Sequence, residues 1–105
     1  MKILAIEHEI PGVPGEAFTA PLSKAEAARA WALHQEGVIR ELYFRTDRHE
    51  AVLVLECADA DEARAVLGTL PLVQAGLIAF EVIPLVAYPG FARLFAGEQG
   101  TGTGE

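Results

Sequence analysis

Cysteine occurs once in this chain, at position 57, so no disulfide can form within it. A lone thiol fits a reducing compartment, and the expected setting is the cytoplasm. Basic residues are scarce as well: 8 Lys and Arg stand against 15 Asp and Glu, a formal charge of -7. They are scattered rather than clustered, which argues against a phosphate-binding face and so against nucleic acid as a partner. Hydrophobic residues make up 51% of the sequence, yet no apolar run reaches the roughly 18 residues a membrane span requires. The opening "MKILAIEHEI" has one lysine followed by acidic residues, the pattern of a strand and not of a leader peptide. There is no G-x-G-x-x-G or Walker pattern, and no His-x-x-x-His spacing among the three histidines, so no metal is expected.

What is present is a regular alternation of apolar patterns with turn residues. At 105 residues the chain fits one domain, here residues 1–96, followed by a mobile tail at 97–105, "GEQGTGTGE". "KILAIEHE" reads as a strand, and the link "IPGVPGEAFTAP" is barred from regular structure by two Pro-Gly pairs. Ser23 with Glu26 three residues on forms a capping box, and Gly37 is a natural stop, so a helix is predicted over 24–36. "VIRELYFR" and "EAVLVLEC" are strands joined by the tight "TDRH" hairpin. Asp59 with Glu62 repeats the cap, and Gly68 with Pro71 ends a second helix. "GLIAFEVIPLVAY" is the last strand, and "PGFARLFA" a short amphipathic turn with Phe91, Leu94 and Phe95 on one side. The order β-α-β-β-α-β predicts an α+β, ferredoxin-like fold: a four-stranded antiparallel sheet, order 4-1-3-2, with two helices on one face. Pro84 agrees, because proline is tolerated on edge strands and strand 4 is an edge in that order.

Strand parity divides the sheet residues into two sets. Leu4, Ile6, Leu42, Phe44, Leu53, Leu55, Ile78, Phe80 and Val82 are expected under the helices, against Ala27, Ala30, Trp31, Leu33, Ala63, Val66 and Leu67. The second set holds Ile3, Ala5, Glu7, Ile39, Glu41, Tyr43, Arg45, Val52, Val54, Glu56, Ala79, Glu81 and Ile83. It is too apolar for water and too acidic for a monomer's core, so a second copy packed face to face, a homodimer, is expected. Glu81 would then lie near Glu7. The hairpin sets Tyr43 opposite Val52, Glu41 opposite Val54, and Arg45 opposite Glu50. Crowded, desolvated carboxylates acquire the raised pKa of a general acid or base. The plainer alternatives are hydrogen bonds from the glutamates to the partner chain, and an ordinary ion pair between Arg45 and Glu50.

The end of the domain, "TLPLVQAGLIAFEVIPLVAYP", resembles the muconolactone isomerase family. The resemblance is carried by Leu70, Pro71 and Leu72 after the second helix, then Glu81, Val82, Pro84 and Leu85 in the strand. It implies the dimeric α+β barrel form of the fold, assembly into larger oligomers, and a proton shift within an unsaturated lactone without metal or organic cofactor. Glu81 alone matches by motif.

Three functions are compatible with these residues. The first is a cofactor-independent isomerase or lyase acting on a small unsaturated lactone or oxo acid. Glu81 or Glu7 would move the proton while Tyr43 and Arg45 hold the oxyanion. Glu41 and Glu56 share that face. His8, assigned helix-side parity, and His49 fall at one end of the sheet, either as a shared ligand site or as solvated loop residues, and the 10–21 link is either a passive connector or a flap with Phe18 as its apolar tip. His34 suits a helix C-terminus, and Cys57 the core. The second function is a non-catalytic small-molecule-binding or assembly module. The third, on fold analogy alone, is a cofactor-free oxygenase.

Overall fold

In the computed structural model, which describes residues 1–96, β1 (Lys2–Glu9), β2 (Ile39–Phe44), β3 (Ala51–Glu56) and β4 (Ile78–Pro84) pair antiparallel in the order β2-β3-β1-β4. Helices α1 (Ala20–Gln35) and α2 (Ala60–Leu67) cover one face, which is the expected ferredoxin-like arrangement. The tail at 97–105 lies outside the described residues. Pro84 ends the edge strand β4 opposite Ile3, where a missing N–H interrupts no interior ladder. Glu41 pairs with Val54 and Tyr43 with Val52, as the hairpin pattern predicts. No helix among the described residues is long and apolar enough to cross a membrane.

The helix ends are set by local chemistry, and one differs from expectation. Asp59 accepts from the Glu62 backbone N–H at 2.8 Å, the predicted cap of α2, while the Glu62 side chain reaches one residue further back than in a capping box and accepts from Ala58 N–H. α1 starts at Ala20 instead of 24: Thr19 is its cap, its Oγ1 accepting from Leu22 N–H at 3.3 Å, and Pro21 fits the first turn. Ser23 and Glu26 therefore form no box. Glu26 instead accepts from Leu72 N–H at 2.9 Å, fastening α1 to α3 (Pro71–Gln74), a single turn that the sequence pattern did not separate from the loop. Gly37 closes α1 at φ +81°, a conformation that disfavours side chains with a Cβ.

The face assignment of β1 is reversed. Ile3, Ala5 and Glu7 point toward the helices, with Ile3 and Ala5 fully buried and opposite Leu55 and Leu53. Leu4, Ile6 and His8 occupy the open face instead. Ile39 also joins the core, because a bulge at Arg40 places two β2 residues against one of β3 and shifts the parity there. The core is Ile3, Leu33, Ile39, Leu53, Leu55, Leu67 and Leu70 with smaller neighbours, Cys57 among them. Each large side chain buried there contributes about 1.5–3 kcal/mol. Trp31, expected in the core, is 60% exposed and lies against the His34 ring. Phe91, Leu94 and Phe95 follow β4 in a short 3-10 turn and are exposed.

Candidate functional site

Helix α1 turns small residues toward the sheet. Ala27 and Ala30 stand where leucines would fill the space, and only Leu33 of the helix is buried. The result is a cavity of about 400 Å3 between α1 and the sheet. Its floor is Glu7, Leu42, Phe44, Ala51, Leu53 and Phe80, and Ser23 and Glu26 hang from the helix above. Phe18 of the 10–21 link closes one side, Leu70 and Leu72 another, and Glu9 and His49 lie at the rim. The His49 ring stacks on Phe44 with centroids 4.4 Å apart.

Two carboxylates face this mainly apolar space. Glu7 is 8% exposed, the one buried charged residue among those described. Its Oε1 accepts from Ala51 N–H at 2.9 Å. Burial raises its pKa above the ordinary carboxylate range, against the pull of that N–H and of nearby His49. The charges of Glu26 and Glu50 push it further up. Glu26 is raised for the same reason, with Leu72 N–H opposing. Each therefore has one oxygen held by a backbone amide, in surroundings that disfavour the ionised form. Paired carboxyls of this kind can divide into one ionised and one protonated member.

Of the sequence-predicted site residues, Glu7, His49 and Phe18 line the cavity. The others lie elsewhere. Glu81 is opposite Ile6 and so projects from the face away from Glu7: the expected Glu7–Glu81 pair does not exist, because β1 faces the other way. His8, expected on the helix side, is on the open face with its Nε2 3.8 Å from Glu81 and its Nδ1 4.0 Å from Glu50. Tyr43 donates to Glu41 at 2.8 Å, which raises the phenol's pKa. Arg45 makes a bidentate contact with Asp47 at 2.7 and 2.9 Å and lies 3.6 Å from Glu50, so neither Tyr43 nor Arg45 faces the cavity. Glu56 binds the N-terminal ammonium at 2.6 Å, which lowers its pKa. Sequence reasoning missed Glu26 by assigning it to a cap. The available signal was its place one turn before Ala30 on an alanine-rich helix face.

The open face carries Leu4, Ile6, Val52, Val54 and Ile83, all half-buried, with Glu41, Tyr43, Glu81 and His8 around them.

The family model described as muconolactone delta-isomerase matches residues 3–90. No curated protein matches. Among solved structures, a crystal structure of muconolactone isomerase is similar, with a TM-score of 0.66 at 22% identity over 85% of this chain and 92% of that one. A 5-chloro-2-hydroxyhydroquinone dehydrochlorinase from Burkholderia phenoliruptrix, in complex with 2,5-dihydroxybenzoquinone, gives 0.55 at 21% identity over 82% and 94%. At these identities both likenesses show a shared fold and no more.

Proposed function

The chain belongs to the muconolactone delta-isomerase family, and from that premise we propose that it is a cofactor-independent isomerase or lyase shifting a proton within a small unsaturated lactone or related carbonyl compound. The observation that carries this reading is the pair Glu7 and Glu26, two desolvated carboxyls in one apolar cavity. Ionised Glu7 takes a proton from a carbon conjugated to the carbonyl, leaving a dienolate and a neutral Glu7. The same carboxyl returns that proton to the other end of the conjugated system, which moves the double bond and restores the base. Glu26, whose desolvation favours the neutral form, donates a hydrogen bond to the oxygen on which negative charge accumulates.

The open face supports a second proposal, a homodimer. Five aliphatic side chains in one layer form a patch that packing against a second sheet, about 10 Å away, would remove from water. In this reading Glu81, His8, Tyr43 and Arg45 set the register between copies and are not catalytic.

A non-catalytic binding module is the alternative, favoured by Glu7 already accepting from Ala51 N–H. Incubation of an unsaturated γ-lactone with the protein in D2O separates the two. The isomerase reading expects enzyme-dependent loss of a ring C–H signal or migration of the double bond by NMR. A lactone that binds without exchange sinks it.

A further inference from the structure

The amide that holds Glu7 belongs to a hairpin built around another shielded acid, Glu50. The register of β1 and β3 runs from Lys2 opposite Glu56 to Ile6 opposite Val52. At the next position Ala51 N–H is given to the Glu7 carboxyl, 2.9 Å away. The same peptide unit is pinned at its other end, where the Glu50 carbonyl accepts from Arg45 N–H at 3.0 Å. Glu50 N–H in turn donates to the Arg48 carbonyl at 2.9 Å. The Glu50 side chain is 13% exposed, and its Oε1 is buried without a hydrogen bond. Around it stand Arg45 Nη1 at 3.6 Å, Arg48 Nη1 at 3.9 Å and, on Oε2, His8 Nδ1 at 4.0 Å. Asp47 grips Arg45, and Glu81 lies 3.8 Å from the other nitrogen of His8. Glu9, Glu26 and His49 are the remaining titratable groups beside Glu7 in the cavity.

We propose that Glu50 is a positioning residue for the proton shift: two arginines clamp its carboxylate, its backbone fixes the peptide that presents Ala51 N–H to Glu7, and its charge strengthens that base. The proposal rests on the reading of Glu7 as the base. Neighbouring like charges favour each other's protonation. Burial is the main cause of the raised Glu7 carboxyl, and the Glu50 charge adds to it against Ala51 N–H and His49. A more basic carboxylate takes a proton from carbon more readily, so Glu50 acts on the rate without touching the substrate. Gln at this position has the same size and no charge. Because Oε1 accepts no hydrogen bond, the substitution removes the charge and leaves the hairpin's backbone bonds in place.

The Ala51 amide reports on Glu7 directly, because protonation of the carboxyl it is bonded to moves its resonance. Amide NMR spectra of the full-length parent, Glu50→Gln and Glu50→Asp are recorded across the carboxylate range, with D2O exchange of an unsaturated γ-lactone followed over the same pH values. In Glu50→Gln the Ala51 midpoint is expected to fall by about half a pH unit or more, and the plateau exchange rate by about threefold to tenfold. Glu50→Asp keeps the charge and is expected to keep the parent midpoint. An unchanged midpoint in Glu50→Gln overturns the inference. So does an equal fall in Glu50→Asp, which would mark lost packing and not lost charge, or an exchange rate that does not follow the midpoint. If the midpoint falls as expected in a protein that exchanges no proton of the lactone, the coupling of Glu50 to Glu7 stands and the isomerase reading alone is removed.

Discussion

Replacing Glu7 with Gln separates what its charge does for chemistry from what it costs the fold. Burial raises the Glu7 carboxyl, so the folded chain holds that proton more tightly than the unfolded chain does. The sign follows from linkage: stability from this site is fully present below the unfolded pKa of about 4.3 and is lost as pH rises through the higher folded value. Each pH unit of elevation corresponds to about 1.4 kcal/mol lost above both values. Gln cannot ionise, and its amide oxygen can keep the 2.9 Å bond from Ala51 N–H. Glu7→Gln is therefore expected to be as stable as the parent at about pH 4 and more stable at about pH 7.5. For a domain of this size about 1 kcal/mol appears as a rise of roughly 4–8 °C in Tm. In the D2O exchange assay the same variant should lose about 10²–10⁴ in rate, the usual worth of a positioned base. Melting curves at the two pH values read the first effect and NMR the second. If the variant is destabilised at neutral pH but not in acid, ionised Glu7 is a net stabiliser and the desolvation argument is wrong. If exchange continues at the parent rate, Glu7 is not the base.

Three further outcomes follow from the same geometry. Glu26→Gln should keep the Leu72 N–H bond and the stability, whereas Glu26→Ala leaves α3 uncapped and should cost about 0.5–2 kcal/mol in denaturant unfolding. Ala30→Phe should fill the cavity, abolishing calorimetric binding of an unsaturated γ-lactone while the far-ultraviolet circular dichroism stays that of the parent; undiminished binding would locate the site elsewhere. Val54→Asp places a charge in the middle of the open face and should halve the mass seen by light scattering; an unchanged mass would mean that this face is not the contact.

The order of elements was legible because its signals are local. Asp59, Gly37 and Pro84 each act through their own backbone geometry, and each does in the structure what its residue type predicts. The direction in which β1 faces was not legible. The central strand β1 is apolar on both sides, Ile3 and Ala5 on one and Leu4 and Ile6 on the other, so alternation had nothing to discriminate. Glu7 and His8, on opposite faces, were the markers nearest the strand's middle, and a carboxylate is ordinarily a sign of the wetter face. Here it marks the drier one. That single reversal separated Glu7 from Glu81 and moved the candidate site from the open face to the space beneath α1. Glu26 was hidden differently: Ser23 and Glu26 have the spacing of a cap, but Thr19 lies four residues upstream and starts the helix first, releasing Glu26 for Leu72. The Arg40 bulge leaves no trace in hydropathy.

The two faces of the sheet treat their acids in opposite ways, and the difference bears on function. On the open face Glu41 has Tyr43, Glu81 has His8 nearby, and Glu56 has the N-terminus, and these side chains keep much of their hydration. Such groups gain little from being charged or neutral and suit the register of an interface. Under α1 the two glutamates have one amide each and, among the described residues lining the cavity, only His49 as a basic neighbour, in a gap left by alanines. Leucine at Ala27 or Ala30 and an apolar residue at position 7 would give a tighter and more stable domain. A chain that leaves a mainly apolar cavity and points two acids into it gives up stability where acids of raised pKa are held, as the proposed proton shift requires.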